Sequence, residues 1–188
     1  MTGLRIISGE LKGKKLFSPK GIGIRPTADR LRESIFNILS SHVIESVALD
    51  LFAGTGALGI EALSRGASFA IFIDNNKDAL SIIQKNIKIC GLEDRIKIAR
   101  LNIAKNIIDF THEVPAVNLV FMDPPYNKNF IKSALINLSE SRILEKEALL
   151  VIEHDLSETL PEDIPDYKIT DQRRYGKTLV SFLKYVVQ

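Results

Sequence analysis

The chain has 188 residues, 45% hydrophobic and 26% charged, with a formal net charge of +2, one cysteine and no tryptophan. That is enough apolar sequence for the core of one domain with a short appendage, which excludes a disordered chain. Every apolar stretch is broken by charge or glycine before the ~18 residues of a membrane span, and MTGLRIISGELKGKK carries no apolar signal core, so a soluble, cytoplasmic protein with no membrane partner is expected. Cys90 alone makes neither a disulfide nor a metal cluster; no metal site is expected, and the thiol reads as a buried one ahead of Gly91.

The charge is unevenly placed. Residues 1 to 32 hold eight Lys and Arg against two acids, while the remaining 156 residues carry a net −4. A basic arm on a slightly acidic body suits a polyanion, because Lys and Arg beside phosphates release condensed counterions; a solvated hairpin is the competing explanation. Lys12, Lys14 and Lys15 cluster around Gly13, and with Arg5, Arg25 and Arg30 they are the candidate nucleic-acid contacts.

In chain order, LRIISG and KKLFS read as strand-like runs of a small N-terminal β-hairpin or irregular arm, taken as residues 1–26, with the main domain over 27–188. Pro26-Thr27 opens a helix whose apolar residues Leu31, Ile35, Ile38 and Leu39 predict one buried stripe, with Arg30 facing outward. VALDLF, FAIFID, RIKIAR and NLVFMD then alternate with helical segments, the first ending at Arg65, the second at Cys90, a short one after RIKIAR and another near 129 to 139. ALLVIE continues the series. Strands alternating with helices predict an α/β fold with a parallel sheet covered on both faces. The tail departs from this pattern: YKITDQRRY and TLVSFLKYV, joined at Gly176-Lys177, predict an antiparallel hairpin that completes a mostly parallel seven-stranded sheet.

Asp50-Leu-Phe-Ala-Gly54-Thr-Gly56-Ala-Leu-Gly59 ends the first strand and opens a helix. Glycines there let the backbone turn sharply beside the free N–H groups of a helix start, which suits a nucleotide-like cofactor. Asp74 ends the second strand, twenty residues after Gly54, where a carboxylate can accept both hydroxyls of a ribose. A dinucleotide and S-adenosylmethionine both fit this much. Asp50 favours the latter, because a carboxylate beside the loop balances an ammonium group and repels a pyrophosphate; it could instead cap a neighbouring turn.

Asp123-Pro124-Pro125-Tyr126 follows the strand NLVFM. The two prolines stiffen the loop and leave carbonyl acceptors at the carboxyl edge of the sheet, beside an aromatic ring. An exocyclic base amine attacks poorly because its lone pair is delocalised into the ring. Bonds from its N–H groups to Asp123 and the Pro124 carbonyl would hold it pyramidal, while Tyr126 stacks on a base that must first be unstacked. These three are the candidate catalytic residues.

RIISGELKGKKL, RPTADRLRESIFNIL, DLFAGTGALGIEALSRGA and DPPY, in this order over nearly the whole chain, resemble the RsmD family of bacterial 16S ribosomal RNA guanine-N2 methyltransferases. The resemblance implies the class I S-adenosylmethionine-dependent, Rossmann-like fold, N2 methylation of one guanine in 16S rRNA and an N-terminal hairpin that helps to hold RNA; the sequence leaves free RNA and the assembling small subunit both open as substrate, and nothing in it requires more than a monomer. On matching positions it implies cofactor contacts from Asp50, Phe52, Gly54, Gly56, Asp74 and Asn102, the last where related enzymes carry an acid near the adenine.

Competing functions are a DNA adenine or cytosine amino-methyltransferase, for which the chain has no separate sequence-reading domain; an NAD-dependent oxidoreductase; and a non-catalytic RNA-binding module. His154 in VIEHD reads as structural because the expected chemistry needs no strong base. Arg173, Arg174 and Lys177 read as a solvated turn, and Thr27 as a helix cap or an RNA contact.

Overall fold

The computed structural model describes residues 3–19, 26–103, 114–125, 130–161 and 164–187, with side chains in the first helix from residue 29 onward. Seven strands form one sheet: β1 (Val47–Leu51), β2 (Phe69–Asp74), β3 (Ile96–Arg100), β4 (Val117–Met122), β5 (Leu144–Asp155), β6 (Tyr167–Tyr175) and β7 (Thr178–Tyr185), in the order β3-β2-β1-β4-β5-β7-β6. The first five are mutually parallel, and β7 inserts antiparallel between β5 and β6. The expected mostly parallel sheet and its hairpin at Gly176-Lys177 are both present.

The continuous apolar runs of β1, β2 and β4 follow from burial on both faces. On one face Ala48, Phe72, Phe121, Val151 and Phe182 share a cluster with residues of α1 (Pro26–Leu39), α2 (Ala57–Ser64) and α3 (Lys77–Cys90). On the other, Leu49, Ile71, Val120, Leu150 and Leu183 pack with α4 (Phe130–Ser141). The outermost strand β6 is mostly exposed, and its Lys168, Arg173 and Arg174 discourage pairing with another chain. Asn76 caps α3 by accepting from the Asp78 N–H at 2.8 Å, and Gly91 ends it. Cys90 beside it is only half-buried, which still pushes its thiol pKa up.

One expectation for α1 changes. Ile38 is 37% exposed, and Phe36 takes its place in the buried stripe of α1. The Phe36 ring packs 5.3 Å from that of Phe121 on β4, so the larger side chain decides which face turns inward. In the N-terminal arm, expected as a hairpin or an irregular arm, Arg5 and Lys15 form an antiparallel bridge flanked by bonds from the Ile6 N–H to the Lys14 carbonyl at 2.9 Å and from the Leu16 N–H to the Leu4 carbonyl at 2.8 Å, while the Ile7 and Ser8 N–H groups donate to the Glu61 carboxylate on α2. Arg32 is buried beside the same carboxylate, and its guanidinium donates to the Arg5 carbonyl at 2.6 Å. The short helix expected after β3 lies outside the described residues.

Candidate active site

In the order β3-β2-β1-β4-β5 the chain reverses direction across the sheet between β1 and β4. Ligands of open α/β sheets bind at such a switch point, outside the carboxyl ends of the strands. Asp50, Phe52, Gly54, Gly56, Asp74, Asn102 and Asp123 all lie at the carboxyl ends of β1 to β4 or in the loops that follow. Tyr126 and Arg25 lie outside the described residues.

The loop after β1 is built by backbone geometry. Phe52, Gly54 and Gly56 have φ of 60, 56 and 75°, and Gly56 is the N-cap of α2. Gly59 serves packing: a Cβ there would lie 2.4 Å from the Phe72 ring, so only glycine lets α2 press onto β2. Asp74 reaches back to this loop, its Oδ2 accepting from the Gly54 N–H at 2.9 Å and its Oδ1 from the Asn76 N–H at 2.8 Å. Each oxygen keeps a lone pair for a further donor. The Phe52 ring lies 5.7 Å from that of Phe130 at the start of α4, joining the glycine loop to the element after the proline loop.

Asp50 is 2% exposed, and its Oδ2 accepts from the Gly59 N–H at 3.0 Å, so it does tie down the first turn of α2. Burial pushes its pKa well above the usual aspartate range, and the Asp123 and Asp74 carboxylates push the same way. A buried carboxyl in that setting ionises when a cation arrives. Asp123 is exposed at the mouth of the crevice, yet the protein packed around its carboxyl group and the Glu153 carboxylate raise its pKa to about 7. Pro124 beside it is buried, and Asn102 is exposed beyond β3.

Glu153 was missed in the sequence although it ends an apolar run on a parallel strand, the same signal that marks Asp74 and Asp123. It lies one residue past the Met122–Ile152 pair of β4 and β5. Asn86 and Glu61 were missed as well. Both are polar residues inside apolar helical stripes, fully buried, and their partners lie in the arm.

His154 is 1% exposed. Its Nδ1 faces the carbonyl oxygens of Glu158 at 2.8 Å and Asp155 at 3.2 Å, so Nδ1 carries the hydrogen and Nε2 accepts from the Ser181 hydroxyl at 2.8 Å. That ring ties β5 to β7 and has no part at the crevice. Of the basic candidates, Arg5, Lys12, Lys14, Lys15 and Arg30 are all exposed. A concavity of about 730 Å³, lined among others by Arg142, Lys146 and Tyr185, lies toward the opposite edge of the sheet.

Glycine loop, second-strand acid and proline-locked acid across the switch point of a 3-2-1-4-5-7-6 sheet define a class I methyltransferase, the Rossmann-like fold of S-adenosylmethionine-dependent enzymes. Residues 4–184 match the family described as Conserved hypothetical protein 95, and the chain belongs to this family, the RsmD family that its motifs resemble. It is 36% identical over 181 residues, 96% of this chain and 98% of the relative, to YlbH of Bacillus subtilis (strain 168), provisionally described as an rRNA methyltransferase. It is 34% identical over 160 residues, 84% of this chain and 78% of the relative, to ribosomal RNA small subunit methyltransferase D of Escherichia coli (strain K12). A solved Escherichia coli structure, provisionally described as the methyltransferase yhhF, superposes with a TM-score of 0.84 at 30% identity, covering 98% of this chain and 99% of that one.

Proposed function

We propose that this protein transfers a methyl group from S-adenosylmethionine to the exocyclic N2 amine of one guanine in 16S rRNA, free or in an assembling small subunit, and acts in the cytoplasm as a monomer. The observation that carries the reading is the convergence of Asp50, Asp74 and Asp123 on one crevice, with an Asp-Pro-Pro loop at its mouth. Three carboxylates suit a cofactor bearing a sulfonium and an ammonium group, and they oppose the pyrophosphate of a dinucleotide. Among the described residues no helix is long and apolar enough to cross a membrane, and no cluster of side chains suits a metal ion.

When bound, S-adenosylmethionine supplies an electrophilic methyl group. Gly54 and Gly56 would leave room for it against the backbone, Asp74 would accept its ribose hydroxyls, Asp50 would balance its cationic end, and Phe52 and Asn102 would flank it. Asp123 and the Pro124 carbonyl accept the two N–H groups of the guanine amine, drawing its lone pair out of conjugation and toward the methyl carbon. Tyr126 stacks on the extruded base. The N–CH₃ bond would form as the S–CH₃ bond breaks, with S-adenosylhomocysteine leaving, and the proton the amine then sheds would pass to Asp123. Arg5, Lys12, Lys14, Lys15, Arg25 and Arg30 grip the RNA backbone.

Radiolabelled methyl transfer into small-subunit RNA from a strain lacking the family's enzyme, followed by nucleoside analysis, tests this proposal. N2-methylguanosine is expected; another methylated nucleoside, or none, rejects it.

A further inference from the structure

Among the described residues of the arm, Phe17 is a large apolar side chain held at the surface, 52% exposed. An isolated exposed apolar residue needs no explanation by itself, but the way Phe17 is held does. Asn86, fully buried on α3, accepts from the Phe17 N–H with Oδ1 at 2.7 Å and donates through Nδ2 to the Phe17 carbonyl at 3.0 Å. The same Nδ2 donates to the Thr55 carbonyl at 2.9 Å, between the two loop glycines. One buried carboxamide thus spends both its hydrogens and its oxygen fixing the backbone under an exposed ring to the cofactor loop.

The surroundings of the ring are basic. Leu16 turns into the core at 7% exposure, so Lys15 and Phe17 on either side of it turn outward together. Arg5 is the bridge partner of Lys15 and shares its face, with its side chain 55% exposed although one nitrogen lies 3.6 Å from Asp29. Cations around a rigid exposed aromatic ring form the arrangement that binds unpaired nucleic acid: phosphates meet the cations while a base stacks on the ring. Because the backbone is already fixed, little ordering entropy is lost when a base settles there.

We propose that Phe17 is a stacking platform for an unpaired nucleobase of the RNA substrate, with Arg5 and Lys15 holding the adjoining phosphates. The proposal rests on the RNA reading above and adds a specific contact outside the crevice.

The chain has no tryptophan, so Phe17→Trp is a lone fluorescent reporter. Its emission is expected to be quenched by small-subunit RNA and not by heparin, a polyanion without bases. Phe17→Ala and Phe17→Leu are each expected to raise KM for RNA about tenfold, while Phe17→Trp keeps the wild-type value. The affinity for S-adenosylhomocysteine should stay the same in all three. Loss with alanine but not leucine would mean apolar contact rather than stacking and would overturn the proposal, as would unchanged emission or an unchanged KM in both variants. If the wild type methylates RNA while these results fail, only the platform falls. If the wild type transfers no methyl group to RNA, the proposed function falls with it.

Discussion

Asp74, at the end of β2, accepts a hydrogen bond from the Gly54 N–H at 2.9 Å, so the acid proposed to bind the cofactor also shapes the loop that cradles it. Asp74→Ala therefore removes a ribose acceptor and loosens the loop together. S-adenosylhomocysteine binding, measured by calorimetry, should weaken by about tenfold or more, since a charged hydrogen bond contributes roughly 1.5–3 kcal/mol. Asp74→Asn keeps one carbonyl acceptor and should lose less.

Asp123 acts at the other end of the chemistry. Asp123→Ala should lower single-turnover methyl transfer by about a hundredfold or more, the scale of a lost group that acts in the transition state. S-adenosylhomocysteine affinity should stay within about twofold, since the amine and not the cofactor is its partner.

The raised pKa of Asp123 gives a pH dependence with a definite sign. The ionised form accepts the amine N–H groups, so kcat/KM for RNA should rise with pH through about 7 and then level off. Glu153→Gln removes the neighbouring negative charge and should move that midpoint to lower pH. Stability runs the other way. A carboxyl pKa above its ordinary 3.8 means that the folded state binds more protons between about 3.8 and 7, so this contribution is present below that window and is lost as pH rises through it. Asp123→Asn should thus melt higher than wild type at pH 8, with the gap closing toward pH 4.

The junction of arm and α2 is a matter of folding. Glu61 is fully buried, accepting from the Ile7 and Ser8 N–H groups and from Arg65 Nε at 2.8 Å, with Arg32 Nε 3.7 Å away. Glu61→Ala leaves the two backbone donors and the Arg65 guanidinium without this acceptor and removes the negative charge beside Arg32. Denaturant unfolding should show a loss of about 3–5 kcal/mol. Gly59→Ala, which drives a Cβ into the Phe72 ring, should cost about 1–3 kcal/mol.

What was legible in the sequence follows from how local its cause is. Asp74 and Asp123 stand at the ends of short apolar runs, so strand periodicity alone places them on the carboxyl edge. The hairpin at Gly176 is likewise written in adjacent residues. Asn86 and Glu61 are not, because their partners lie 69 and 54 residues away in the arm, and no local pattern announces that pairing. The same holds for Ile38, which fits the helical stripe of α1 yet turns outward, because Phe36, a residue at core spacing, takes the inward face against the ring of Phe121 on β4.

The crevice between β1 and β4 is the centre of the account, and a crystal structure with S-adenosylhomocysteine tests it most directly. The ribose hydroxyls should lie on Asp74 and the sulfur should face the Asp123 carboxylate across the glycine loop. A ligand seated instead in the concavity beside Arg142 and Lys146, or one that leaves Asp74 without contact, would contradict it.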